Sequence, residues 1–169
     1  MLYPSPFDNP TKADRAIKMP SDAQNTLDER FMSLAISEAN KSIPIPNAYC
    51  VGCVIVRNNS LLSTGYSREL SGNAHAEQVA LIKLDFIATD ATLYTTMEPC
   101  SERLSGNTPC VDNCIRAHVK RVVIGVKEPT NFVRCRGVEK LTAAGIAVDI
   151  LHGFEEACLL PNRHIDLHV

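Results

Sequence analysis

Apolar residues along this chain alternate between two rhythms, and the alternation predicts a layered fold. Continuous, largely β-branched runs at 51–56, 91–96 and 121–126 read as strands buried on both faces, and 61–65 and 146–150 add two shorter ones. Asn58-Asn59 marks a turn, so 51–56 and 61–65 form a hairpin. Between strands the period becomes helical. From Thr26, a candidate N-cap with Glu29 three residues on, Leu27, Phe31, Leu34 and Ala35 share one face until Ile43-Pro-Ile-Pro46 ends it. A second helix starts at His75 and carries Val79, Ala80, Leu81 and Leu84. Pro109, suited to a first helical position, opens a short third with Val111, Cys114 and Ile115. A fourth near 138–144 ends at Gly145. Helices alternating with buried strands predict an α/β fold, a three-layer α/β/α sandwich whose central sheet has about five strands. The leading hairpin makes that sheet mixed. Residues 1–24, rich in proline and polar side chains, are expected as an irregular N-terminal extension before a single domain over 25–169.

Composition narrows the partners. The hydrophobic fraction is 45% and the charged fraction 21%, as in an ordinary soluble protein. A net charge of -2 and only 5% aromatic residues provide neither the basic stripe nor the stacking platforms of a nucleic-acid binder, and favour a small substrate held in a pocket. No charged n-region followed by an apolar core opens the chain, so no secretory signal is expected, and no apolar run approaches membrane-spanning length. Seven cysteines in that setting read as reduced thiols of a cytoplasmic or nuclear protein, available for metal or packing.

Among them, Cys100 and Cys110 stand out with His75 and Glu77. Two thiolates and an imidazole suit Zn2+, and three protein ligands leave the fourth tetrahedral position open, as in catalytic rather than structural zinc sites. Both proposed ligand segments fall at helix starts, where the positive end of the helix favours thiolate. Glu77, two residues past the imidazole, is placed to handle protons. Zinc neutralised by two thiolates acidifies water less than zinc on three imidazoles, so the carboxylate must supply basicity. Residues 101–109 separate the thiols, so the site requires that loop to fold back. Cys50-x-x-Cys53 bounds a buried strand and reads as core packing; Cys114, Cys135 and Cys158 read as ordinary thiols. His164 and His168 read as part of a mobile, solvated end. Arg134 and Arg136 either face solvent or pair with an anionic substrate group.

Gly72-Asn-Ala-His-Ala-Glu77, Thr92-Leu-Tyr-Thr-Thr-Met-Glu-Pro-Cys-Ser101 and Arg136-Gly-Val-Glu-Lys-Leu-Thr-Ala-Ala-Gly145 together resemble the deaminase domain of riboflavin biosynthesis, over roughly residues 45–150. Asn47-Ala-Tyr-Cys-Val-Gly52, Ser63-Thr-Gly-Tyr-Ser-Arg-Glu-Leu70 and Ser101-Glu-Arg-Leu-Ser-Gly-Asn107 are closest to its fungal form, and the long loop between the cysteines is itself a mark of the family. The resemblance implies a cytidine deaminase-like fold, His75, Cys100 and Cys110 as zinc ligands, and Glu77 as proton shuttle. It implies hydrolytic removal of an amino group from a diaminopyrimidinone carrying a ribitylamine and a 5′-phosphate. It also places reduction ahead of deamination, with the reductase on another chain, since 169 residues leave no room for it. Asn47 matches the family's ring-reading asparagine. Glu102, Arg103, Asn107 and Arg134 are candidate substrate contacts, because this chain has Asn107-Thr-Pro-Cys110 and Glu128-Pro-Thr130 where bacterial relatives have a basic residue and Asp-Pro-Asn. A homodimer is expected. Two alternatives stand beside this reading: a tRNA adenosine or nucleoside-monophosphate deaminase, and a catalytically silent deaminase-fold interaction protein.

Overall fold

The structure, a computed structural model, describes residues 22–132 and 135–166. Its centre is built from the three apolar runs. β1 (Gly52–Arg57), β3 (Thr92–Met97) and β4 (Arg121–Val126) lie side by side, flanked by β2 (Ser60–Tyr66) and β5 (Ala147–Ile150), in the order β2-β1-β3-β4-β5. β1 pairs antiparallel with both β2 and β3, whereas β3, β4 and β5 run parallel, so the sheet is mixed as the hairpin predicts. Asn58 and Asn59 close the hairpin with φ of 51° and 60°, the left-handed pair that matches the twist of two joined strands.

Successive side chains on a strand point to opposite faces, and here both faces are covered. Cys53, Ile55, Leu93, Val122 and Ile124 pack under α2 (Ala76–Ile82), α3 (Cys110–Arg116) and α4 (Gly137–Ala143). Val54, Val56, Tyr94, Val123 and Val126 pack under α1 (Asp22–Ala39) and α5 (Glu155–Leu159). Gly52 permits the second layer: a Cβ there would lie 1.9 Å from the Ala35 carbonyl oxygen on α1. Among the described residues no helix is long and apolar enough to cross a membrane.

Three expectations are corrected. α1 starts at Asp22 rather than Thr26, which lies within the helix with its hydroxyl donating to the Asp22 carbonyl, so residues 22–24 are helical rather than irregular. Leu34 is 39% exposed, and Met32, fully buried, takes its place in the core. Asp28 accounts for that rotation: its buried carboxylate accepts from Arg121 at 2.8 and 2.7 Å and from the Tyr94 hydroxyl at 2.8 Å, which turns the 28–31–32–35 face inward. Burial alone would raise the Asp28 carboxyl, but these hydrogen bonds outweigh it and hold it below its usual value. Finally, the segment around His164 is packed rather than solvated. α5 leads into a single 3-10 turn (Leu160–Asn162), and the half-buried His164 donates from Nε2 to Ala48 O at 3.4 Å. His168 lies outside the described residues.

The parallel crossovers send β3 and β4 out of the sheet in the same direction. Loops at the carboxyl ends of parallel strands are where α/β folds place ligands, and 98–110 and 127–132 meet the starts of α2 and α3 there.

Candidate active site

The chain delivers each key side chain from an element boundary. His75 caps α2 with extended backbone, φ −80° and ψ 158°, reached through Gly72 and Asn73, both in the left-handed region. Cys100 follows β3. Cys110 is the first residue of α3, with Pro109 at the cap, one position ahead of the helical place expected for it. The loop between the cysteines folds back over the His75 turn. Arg103 donates to Gln78 Oε1 at 2.8 Å and to Asn73 O at 2.6 Å, and Asn107 donates to Gly72 O at 3.3 Å. Gly137, at the start of α4, allows that helix to abut Pro99, whose carbonyl oxygen would sit 2.2 Å from a Cβ.

The three candidate ligand atoms converge. His75 Nδ1 lies 3.5 Å from Cys100 Sγ and 3.5 Å from Cys110 Sγ. A tetrahedral Zn2+ with its usual bonds to nitrogen and sulfur separates those two atoms by about 3.6 Å, so the spacing fits the ion. Among the described residues this trio is the one group of three such side chains within metal-binding reach. The two thiols differ in acidity. The hydrogen bond between them holds Cys100 well below the usual thiol range, helped by the Cys110 backbone N–H at 3.3 Å, and pushes Cys110 well above it. His75, Cys100 and Cys110 would hold a cation here, whose charge would favour the thiolate form of both cysteines.

Glu77 is 2% exposed. Its Oε1 lies 3.3 Å from the Thr95 hydroxyl, which also reaches Met97 O at 3.0 Å, and its Oε2 lies 3.4 Å from Cys110 Sγ. Burial pushes its carboxyl up from the ordinary value, while the nearby imidazole pulls it down. One oxygen thus lies against β3 and the other faces the thiols.

His75, Glu77 and Cys100 line an open cavity of about 220 Å³, while Cys110 is fully buried and not among its lining residues. Asn47, Glu102 and Arg103 also line it, as the sequence suggests. Asn107 instead spends its amide on the loop, reaching Gly72 O and Ser105 Oγ at 3.1 Å, and is not among the lining residues. Arg134 lies outside the described residues. Cys50 and Cys53 are buried. Cys50 precedes β1, with its sulfur 3.3 Å from Arg68, while Cys53 faces the α2 layer.

Sequence reasoning missed much of the wall, including Glu128, Glu98, Arg68 and Tyr49. Glu128, just past β4, has an Oε2 that is buried and unpartnered, and burial pushes its carboxyl up to about 7. Glu98 accepts the Val138 N–H at the start of α4, at 2.9 Å. Arg68 faces the cavity and ties Tyr49 O and Ile43 O together at 2.9 and 2.8 Å. Tyr49 itself packs edge-on against Phe132 with ring centroids 4.9 Å apart. Glu128 was marked only by the departure at Glu128-Pro-Thr130, whereas Glu98, Arg68 and Tyr49 lie within segments that carry the family resemblance.

Known proteins share this arrangement. The model of the cytidine and deoxycytidylate deaminase zinc-binding region matches residues 25–126. The diaminohydroxyphosphoribosylamino-pyrimidine deaminase of Schizosaccharomyces pombe is 46% identical over 136 residues, 78% of this chain and 34% of that protein. The riboflavin biosynthesis protein RibD of Aquifex aeolicus is 41% identical over 133 residues, 78% of this chain and 36% of that protein. This chain therefore spans about a third of the length of these curated relatives. The Aspergillus oryzae Rib2 deaminase, solved in complex with DARIPP as a C-terminal deletion mutant, superposes with a TM-score of 0.71 at 32% identity, covering 80% of this chain and 89% of that one.

Proposed function

Because this chain belongs to the cytidine and deoxycytidylate deaminase family, on the branch of the Rib2 and RibD deaminases, we propose that it hydrolytically deaminates 2,5-diamino-6-ribitylamino-4(3H)-pyrimidinone 5′-phosphate in riboflavin biosynthesis. The observation that carries this reading is the buried Glu77 carboxylate beside the His75–Cys100–Cys110 trio, with Glu77, His75 and Cys100 lining the cavity. The reading makes the chain from α1 onward a zinc-dependent hydrolase domain, preceded by an extension that ends before Asp22 rather than at residue 24. It includes a cytoplasmic homodimer that acts on a small phosphorylated substrate without nucleic acid or membrane.

His75 Nδ1 and the sulfurs of Cys100 and Cys110 would hold the zinc ion. A zinc ion bound there would acidify water, the nucleophile needed at the ring carbon bearing the amino group. Glu77 moves the protons. Its Oε1 lies against Thr95, and Oε2 loses its donor once Cys110 is a thiolate, which leaves that oxygen free to take the proton of the attacking water. Glu77 then passes that proton to the ring nitrogen, takes a second from the hydroxyl added to the ring carbon as it becomes a carbonyl, and gives it to the departing amine, so that the C–N bond breaks and ammonia leaves neutral. Burial, by raising this carboxyl, brings it closer to the range in which one group both accepts and returns a proton.

Asn47, Glu102, Arg103 and Glu128 would read the substrate. The unpartnered Glu128 oxygen suits a ring amino group, and the Arg103 guanidinium suits the phosphate. Asn107 would act through the loop it braces, and Arg134 remains a candidate anion contact. The test pairs elemental analysis with turnover on the purified protein. We expect one zinc per chain and one ammonia released per substrate consumed; an active metal-free protein, or a zinc-loaded one that releases no ammonia from this pyrimidinone, rejects the reading.

A further inference from the structure

Asn162 is fully buried in the 3-10 turn after α5, far along the chain from the zinc-site residues. Both ends of its amide are used. Oδ1 accepts the Cys50 N–H at 2.6 Å and Nδ2 donates to the Cys50 carbonyl at 3.1 Å, across 112 residues of sequence. The side chain thereby imitates a neighbouring strand, satisfying both backbone groups of a residue that precedes β1 and has no partner in the sheet. The same segment makes two further attachments. His164 reaches Ala48 O at 3.4 Å, and Asp166 O accepts from Asn131 Nδ2 at 2.5 Å.

These attachments land on two of the loops that wall the cavity. Asn47, Ala48 and Tyr49 form one wall, and Glu128 and Phe132 belong to another. The loops also touch each other through the Tyr49 hydroxyl, which donates to Pro129 O at 3.1 Å, and through the Tyr49–Phe132 ring contact. Segment 162–166 is therefore a strap joined to both walls. None of its residues lines the cavity, so its effect on a bound molecule is exerted through the loops.

We propose that Asn162 is a positioning residue for substrate binding: by pairing with both backbone groups of Cys50, it fixes the Asn47–Ala48–Tyr49 wall at the spacing the substrate needs. The proposal rests on the cavity being the substrate site of the deaminase reading. The zinc trio and Glu77 are held by β3, α2 and α3 and do not depend on the strap. Loosening the strap should thus weaken binding while sparing the chemical step.

Asn162→Leu keeps the side-chain volume and removes both bonds; His164→Ala removes the outer one at a half-buried position and serves if the first variant folds poorly. Two readouts are taken on zinc-loaded protein. Amide exchange by NMR should accelerate at Cys50 in Asn162→Leu and at its loop neighbours in His164→Ala, while Gly52, whose N–H is held by Thr96 Oγ1 at 3.1 Å, keeps its protection. For ammonia release, KM should rise about tenfold in Asn162→Leu and about threefold in His164→Ala, with kcat within a factor of about two. Unchanged KM in both variants, or a fall in kcat at constant KM, overturns the proposal, as does unchanged exchange in the 47–50 loop. A wild-type protein that releases no ammonia would count against the deaminase reading alone, and the exchange rates would then decide whether the strap holds the wall.

Discussion

Glu77 has to be ionised to take a proton and protonated to give one back, and its surroundings pull both ways. Burial raises the carboxyl, and the imidazole two residues earlier lowers it. Replacing it by glutamine keeps the shape and the Thr95 contact but removes the proton carrier. Glu77→Gln should retain one zinc per chain and lose ammonia release by about a thousandfold, as general acid–base catalysts do when deleted; a fully active variant would remove Glu77 from the mechanism. Glu128 makes a different prediction. Its usual value of 4.5 is raised to about 7 by burial, so the folded protein bears a growing penalty for ionising it between those values, complete above pH 7 and absent below pH 4.5. Glu128→Gln should therefore raise the melting temperature at pH 8 by about 3 °C or more and leave it unchanged at pH 4.5, while KM rises about tenfold. Equal melting shifts at the two pH values would contradict the assignment. Residue identity and order made His75, Glu77, Cys100 and Cys110 legible in the sequence, because the chemistry demands those types. Glu128 was legible only as a departure from pattern, because its burial is produced by loops that meet in space.

The helices and strands act on the site through their junctions. α4 meets the end of β3 where Gly137 lies against Pro99, and Glu98 accepts the Val138 N–H there. A methyl group at 137 would collide with the Pro99 carbonyl at 2.2 Å and approach Glu98 at 3.0 Å, both next to Cys100. Gly137→Ala should cost about 1–3 kcal/mol of stability and weaken zinc affinity tenfold or more, by roughly the amount lost when groups supporting a ligand are disturbed. Chelator competition measures this, and unchanged affinity would show that α4 does not position the thiolate. The strands were readable because β-branched runs bounded by turn residues have few other uses. The face of α1 was misjudged at Leu34 and Met32, since a buried ion pair at Asp28 set the rotation and hydropathy does not register it. α5, five residues with two acidic ones in its first turn, has too little apolar periodicity to announce itself, and so the strap beyond it read as solvated.

Across the whole molecule, the parallel crossovers gather residues from 47–49, 75–77, 98–105 and 128–132 around one cavity. That convergence is a property of topology. The loop between the cysteines shows it best: nothing in its composition says that Arg103 and Asn107 will tie it to the His75 turn, as they do. The same convergence sets three carboxylates and two guanidiniums around the cavity outside the zinc trio and Glu77, namely Glu98, Glu102, Glu128, Arg68 and Arg103. A lining so rich in charge favours a polar, phosphorylated ring with several amino groups over a plain nucleoside. Ammonia release compared across substrates tests that claim most directly, using zinc-loaded protein and equal concentrations of the ribitylaminopyrimidinone phosphate, cytidine, dCMP and tRNA. The account predicts a kcat/KM for the pyrimidinone phosphate about a thousandfold above the others, because a site built on polar contacts rejects ligands that leave those contacts unmade. Preference for dCMP, cytidine or tRNA would contradict it.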